Sequence, residues 1–148
     1  DEYCKQAKTT ILTNSTQIIR DDVFKALNLI DTPLLKLDAG TEEMYNRINK
    51  SVNIPFAQIK ESLIRFGHKA IIQTMLLKGE DEGKVIDNTT EEEFNAWLSI
   101  VKQVMPREVM LYTIDRATPD KNLIKLSLSE LEPYANKVRS LGIETKTY

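Results

Sequence analysis

The sequence predicts an α/β fold, a parallel sheet with covering helices, on two observations. Four short apolar segments, residues 9–15, 34–40, 71–78 and 109–116, each run into a polar tail. Each has the length and residue types of a buried strand, and each is followed by a stretch with helical periodicity. Strands that alternate with helices imply right-handed crossovers and parallel neighbours. In that architecture ligands bind at the carboxyl ends of the strands, where these polar tails collect.

The elements follow in order. The first strand ends on Thr13-Asn14-Ser15, and Val23, Ala26, Leu27 and Ile30 then fall at i, i+3, i+4 and i+7, an apolar stripe for a sheet-facing helix. After the second strand, Thr41 is placed to cap a short helix, with Glu42 and Glu43 at the positive end of its dipole. Pro55 opens another helix carrying Phe56, Ile59, Leu63 and Ile64. The third strand is followed by 79–88, rich in Gly, Asp and Glu, which reads as a loop long enough to act as a lid or to be partly disordered. Thr89 and Thr90, with Glu92 and Glu93 three residues on, give overlapping capping boxes for a helix carrying Phe94, Trp97, Leu98, Val101 and Val104. Pro106 stops it. After the fourth strand, Ser127 and Glu130 form a further capping box ahead of Leu131, Tyr134, Ala135, Val138 and Leu141. Gly142 caps that helix and 143–147 is a last, weaker strand. The order is β-α-β-(α-α)-β-α-β-α-β, with no internal linker or repeat, and it reads as a single domain over 1–148.

Composition narrows the function classes. The chain has 148 residues, 41% hydrophobic and 28% charged, enough to bury a core. A formal charge of −2 argues against nonspecific nucleic-acid binding, which needs a basic surface. One cysteine, Cys4, cannot form an internal disulfide, so a cytoplasmic location is expected. No apolar run approaches the ~20 residues of a membrane span, so no membrane partner is expected. Sequons at Asn14 and Asn88 read as chance. The chain opens on Asp1 with what looks like the tail of a helix, so we expect a piece of a longer protein.

Alternation selects candidate site residues. In the second strand Lys36 and Asp38 share one face with Leu34, while Leu35, Leu37 and Ala39 share the other. If helices cover the more apolar face, Lys36 and Asp38 point inside a barrel or across a crevice. The third strand offers either Gln73 and Met75 or Thr74, and the fourth either Thr113 and Asp115 or Tyr112 and Arg116. A lysine and an aspartate in an interior strand are costly unless paired or facing a ligand pocket. A structural network of Lys36 and Asp38, with or without Arg116, is the other reading. His68 beside Gly67 reads as a surface cap, and Met75, Met105 and Met110 as core. There is no GxGxxG, GxxxxGK[ST] or GxSxG motif. One His and one Cys make neither a His-rich zinc site nor an iron–sulfur site, so no metal ligands and no catalytic residues are assigned.

The run from Leu35 to Asn49, L-K-L-D-A-G-T-E-E-M-Y-N-R-I-N, resembles the fourth-strand region of the radical S-adenosylmethionine superfamily. There a strand ending S/K-L-D-A precedes a D/T-E-E-x-[FY]-x-x-I-N helix. Thr13-Asn14-Ser15 resembles the end of the third strand of that fold. Gln73-Thr74-Met75 with Lys78-Gly79, and Tyr112-Thr113-Ile114-Asp115-Arg116 with Thr118-Pro119, are similar to the fifth and sixth strands of the iron–sulfur oxidoreductases related to tRNA-wyosine-type enzymes.

This resemblance implies the C-terminal portion of a partial (β/α)6 TIM-like barrel. In the intact protein it implies S-adenosylmethionine and a [4Fe–4S] cluster, with reductive cleavage of the cofactor to a 5′-deoxyadenosyl radical that abstracts hydrogen from a substrate. It places Thr13, Asn14, Lys36 and Asp38 around the cofactor's methionine and ribose, and Gln73, Tyr112, Asp115 and Arg116 on the adenine or substrate side. The substrate class stays open among small molecule, protein and RNA. The family's CxxxCxxC loop and G-E-P-like strand are not in these residues, so the isolated segment is expected to bind no cofactor and to be inactive. It is also expected to self-associate through an open sheet face. A noncatalytic α/β binding or scaffold domain is the other functional reading.

Overall fold

A computed structural model describes residues 6–50, 54–115 and 122–148. The chain runs β1 (Thr10–Thr13), α1 (Asp21–Leu27), β2 (Thr32–Lys36), α2 (Glu42–Asn49), α3 (Phe56–Phe66), β3 (Ile71–Met75), β4 (Lys78–Asp81) and β5 (Lys84–Asp87). It continues through α4 (Glu91–Val104), β6 (Glu108–Tyr112), β7 (Leu123–Ile124), α5 (Leu128–Arg139) and β8 (Glu144–Thr147). Five strands form one parallel sheet in the order β1-β2-β3-β6-β8, the order of the sequence.

The faces of that sheet differ in chemistry. Leu35, Ile72, Val109 and Leu111 project to one side and share a single core cluster with Leu27, Tyr45, Leu63, Phe94, Val101 and Leu131, so all five helices pack there. Burying such side chains contributes about 1.5–3 kcal/mol each before the entropy of ordering is subtracted. On the other face Ile71 and Glu108 are buried, while Leu34, Lys36, Gln73, Met110 and Tyr112 are half-buried and no described helix covers them.

The helix signals resolve individually. Thr41 caps α2 by accepting the Met44 N–H at 3.2 Å. Ser127 and Glu130 make both bonds of a capping box on α5. In α1 the inward stripe is Val23, Phe24 and Leu27, whereas Ala26 is exposed. Phe24 meets Phe66 edge-on at 5.5 Å, and an aromatic buries far more surface than alanine, which sets the rotation of that short helix. β1 is an edge strand, not a buried one: among the described residues nothing pairs its outer side, and Leu12 is 58% exposed.

The segment 79–88 is not a loop. β4 and β5 form an antiparallel hairpin, and β7 pairs with the other side of β4 to make a three-stranded sheet. The Gly and Asp of that stretch serve the turn and the strand crossing, which is why composition suggested a loop. Gly79, at φ +143°, pairs with Leu123, and a Cβ there would lie 2.3 Å from the Asn122 carbonyl oxygen. Gly79→Ala is therefore expected to detach β7 from β4 while the five-stranded sheet survives. Hydrogen exchange should rise at 122–124 and stay slow in β3 and β6. Among the described residues no helix is long and apolar enough to cross a membrane.

Candidate functional site

The register sets Lys36, Gln73, Met110 and Lys146 in one row across the helix-free face. Met75 pairs with Tyr112 one row nearer the carboxyl ends. The alternatives left by sequence parity are thereby settled. Gln73, Met75 and Tyr112 face the open side, whereas Thr74 donates to the Leu37 carbonyl oxygen at 2.9 Å and Thr113 accepts the Leu126 N–H at 2.9 Å.

At the centre stands the Lys36–Asp38 pair, Nζ to Oδ2 at 3.1 Å. Asp38 is 3% exposed, and its Oδ1 accepts the Met75 N–H at 2.8 Å. Both carboxylate oxygens are thus engaged, so Asp38 fixes the lysine and the end of β3. The Lys36 ammonium, 5.7 Å from the centre of the Tyr112 ring, is the charge presented to the face. Burial opposes the Lys36 charge, but Asp38 and Tyr112 more than offset it and hold the ammonium above its ordinary value. Burial also raises the Asp38 carboxyl, against the pull of Lys36 and the Met75 N–H, and raises the Tyr112 phenol, reinforced by Asp38.

A pH dependence follows from Asp38. Between about pH 4, where an unfolded aspartate titrates, and its raised folded value, the native state keeps a proton that the unfolded chain has released. That contribution to stability is present at low pH and is lost as pH rises through the folded value. The stability of wild type minus that of Asp38→Asn, from denaturant melts, is expected to fall as pH rises from about 4. A difference that grows instead would show that attraction by Lys36 outweighs burial.

Two side chains outside the candidate set hold the strand ends. Asn88, 3% exposed, accepts the Leu77 N–H at 2.9 Å and donates to the carbonyl oxygens of Asp38 and Met75 at 2.8 and 2.7 Å. The sequence offered only its sequon as a signal. Glu93 makes no capping box: Thr90 caps α4, and the Glu93 carboxylate crosses to Gly40 N, Thr41 N and Thr41 Oγ1 at 2.5, 3.1 and 2.8 Å. Three donors to a buried carboxylate outweigh one bond back to its own helix start.

The other candidates scatter. Thr13 is level with Leu35 on the helix side, and its hydroxyl accepts the Ser15 N–H. Asn14 is exposed and closes a turn by accepting from Thr16. Asp115 projects into solvent, 3.6 Å from Lys125. Arg116, like Cys4 and Thr118-Pro119, lies outside the described residues. His68 is exposed, its Nδ1 3.2 Å from the Met105 carbonyl oxygen. Among the described residues no group of three His, Cys, Asp or Glu is placed to hold a metal ion.

No family model matches the chain, and no curated protein matches it. Solved structures are similar to it, among them these two. One is a radical SAM methyltransferase from Sphaerobacter thermophilus, at TM-score 0.64 and 12% identity, over 94% of this chain and 39% of that one. The other is a domain of pyruvate-formate lyase-activating enzyme from Bacteroides vulgatus ATCC 8482, at TM-score 0.64 and 15% identity, over 90% of this chain and 78% of that one. At these identities the likeness is one of fold, and this chain spans well under half of the methyltransferase.

Proposed function

We propose that these residues are the C-terminal part of a partial (β/α)6 barrel in a radical S-adenosylmethionine iron–sulfur oxidoreductase, of the branch related to wyosine-type enzymes. The observation that carries the proposal is the Lys36–Asp38 pair at the carboxyl end of β2, on the helix-free face of a fold like that of a radical SAM methyltransferase. A [4Fe–4S] cluster is held by several thiolates, and a chain with one cysteine does not fit it, so no step is assigned to the cluster.

The cofactor itself fits better. The Lys36 ammonium offers a site for a carboxylate such as that of a methionine moiety, and Asp38 holds the lysine in place. Gln73 and Tyr112, beside it on the face, have the donors and acceptors to orient a ribose or base. Asn14, at the end of β1, is the candidate on the opposite flank. When bound, and given one electron by a reductant that these residues do not hold, S-adenosylmethionine would supply hydrogen-atom abstraction from a substrate. The protein residues contribute binding, orientation and exclusion of water. The half-buried apolar groups of the uncovered face also favour self-association of the isolated segment.

The test uses the full natural protein, reduced under nitrogen and given S-adenosylmethionine. It is expected to release 5′-deoxyadenosine. Asp38→Ala, with its fold checked by circular dichroism, is expected to weaken cofactor binding roughly 10- to 150-fold, the equivalent of one hydrogen bond to a charged group. No 5′-deoxyadenosine from folded protein would leave the noncatalytic binding or scaffold reading in its place.

A further inference from the structure

A cavity of about 570 Å³ opens beside the Lys36–Asp38 pair, between β6, β8 and the β7–α5 connection. Its size is that of a small-molecule site. Met110, Tyr112, Leu126, Leu128 and Tyr148 give it an apolar and aromatic wall. Leu128 and Tyr148 are each 59% exposed at its mouth.

The charges around it are matched in pairs. Lys36 lies 3.1 Å from Asp38, Lys125 lies 3.6 Å from Asp115, and Lys146 lies 2.8 Å from Glu108. Of these residues only Lys125 and Asp115 line the cavity, as an exposed pair, so its described wall offers an ionic guest no unpaired charge. Most polar groups of the lining are also engaged. The Thr113 hydroxyl takes the Leu126 N–H, and the Ser127 hydroxyl and N–H both meet Glu130. Gln73 is an exception. The residue is half-buried and level with Lys36 and Met110, and its carboxamide has no hydrogen-bond partner among the described residues. It carries a donor and an acceptor side by side.

We propose that this cavity binds a neutral planar ring with adjacent hydrogen-bond donor and acceptor, a lactam-type edge, paired to the Gln73 carboxamide and flanked by Tyr112, Met110 and Leu128. The inference deepens the reading of the helix-free face as a ligand face by naming the class of ligand taken next to the lysine. Aromatic walls favour a flat ring, and a half-buried amide with no protein partner favours a ligand that offers it both a donor and an acceptor.

The test is a titration of the full chain, labelled at Met and Leu methyl groups, with 2-pyridone, N-methyl-2-pyridone, benzoate and benzylamine. For 2-pyridone, saturable shifts at Met110, Leu126 and Leu128 are expected, in the millimolar range of so small a ligand. N-methyl-2-pyridone lacks the donor and is expected to bind about 2- to 12-fold more weakly, and both charged rings more weakly still. Gln73→Leu should abolish the preference between the two lactams. Leu128→Asp, at an exposed position that leaves the core intact, should weaken both. Absence of saturable shifts, tighter binding of benzoate or benzylamine, or an undiminished lactam preference in Gln73→Leu would each overturn the proposal. Lactam binding without release of 5′-deoxyadenosine would sink only the cofactor reading, and the converse result only this one.

Discussion

Gly40→Ala is expected to destabilise the chain by about 3 kcal/mol, a fall in melting temperature of about 10 °C. A Cβ at residue 40 would lie 2.2 Å from Trp97 N and 2.6 Å from the Glu93 carbonyl oxygen. These are backbone atoms of α4, so no side-chain rotation relieves the clash. The same approach lets Gly40 N reach Glu93 Oε1 and leaves Trp97 Nε1 donating to the Leu37 carbonyl oxygen at 2.9 Å. Separating the β2–α2 connection from α4 would weaken all these bonds together and displace Asp38, two residues upstream. Thermal and denaturant melts check the magnitude, and a change under 1 kcal/mol would mean that α4 can give way.

Asn88→Ala is expected to cost about 2–4 kcal/mol. It strands the buried Leu77 N–H and removes a donor shared by the carbonyl oxygens of Asp38 and Met75. Those two carbonyls end the strands that carry the lysine pair and the Gln73 row. Methyl and amide spectra should therefore change at Lys36–Asp38 and Met75 as well as at the hairpin. A loss of stability confined to β4 and β5 would contradict the account of Asn88 as a tie between strand ends.

The elements with long periodic patterns were legible. α3, α4 and α5 follow from stripes such as Phe94-Trp97-Val101, and α5 forms even with Pro133 within it because Leu131, Ala135 and Val138 are fully buried. Parity along β2 also placed Lys36 and Asp38 together on the face that helices leave bare, because Leu35 and Leu37 gain more by burial than the charged pair does. What escaped was set by distant partners. The β4–β5–β7 sheet depends on Gly79 meeting Leu123, 44 positions on, and nothing within 79–88 alone specifies that pairing. Gly40 and Glu93 are 53 residues apart, and a local capping box was the nearer explanation for the glutamate. Asn88 carried no periodic signal at all, since its three partners are backbone atoms at or just beyond the ends of β2 and β3.

On the function proposed above, the carboxyl ends of β2, β3 and β6, on the helix-free face, would hold S-adenosylmethionine. Hydrogen–deuterium exchange of the full natural protein with and without S-adenosylhomocysteine tests it most directly. Slower exchange is expected at peptides spanning Lys36–Asp38, Gln73–Met75 and Tyr112–Thr113, lost in Lys36→Met while the helices exchange as before. Protection confined instead to α2 and the β4–β5 hairpin, or protection that survives Lys36→Met, would contradict it.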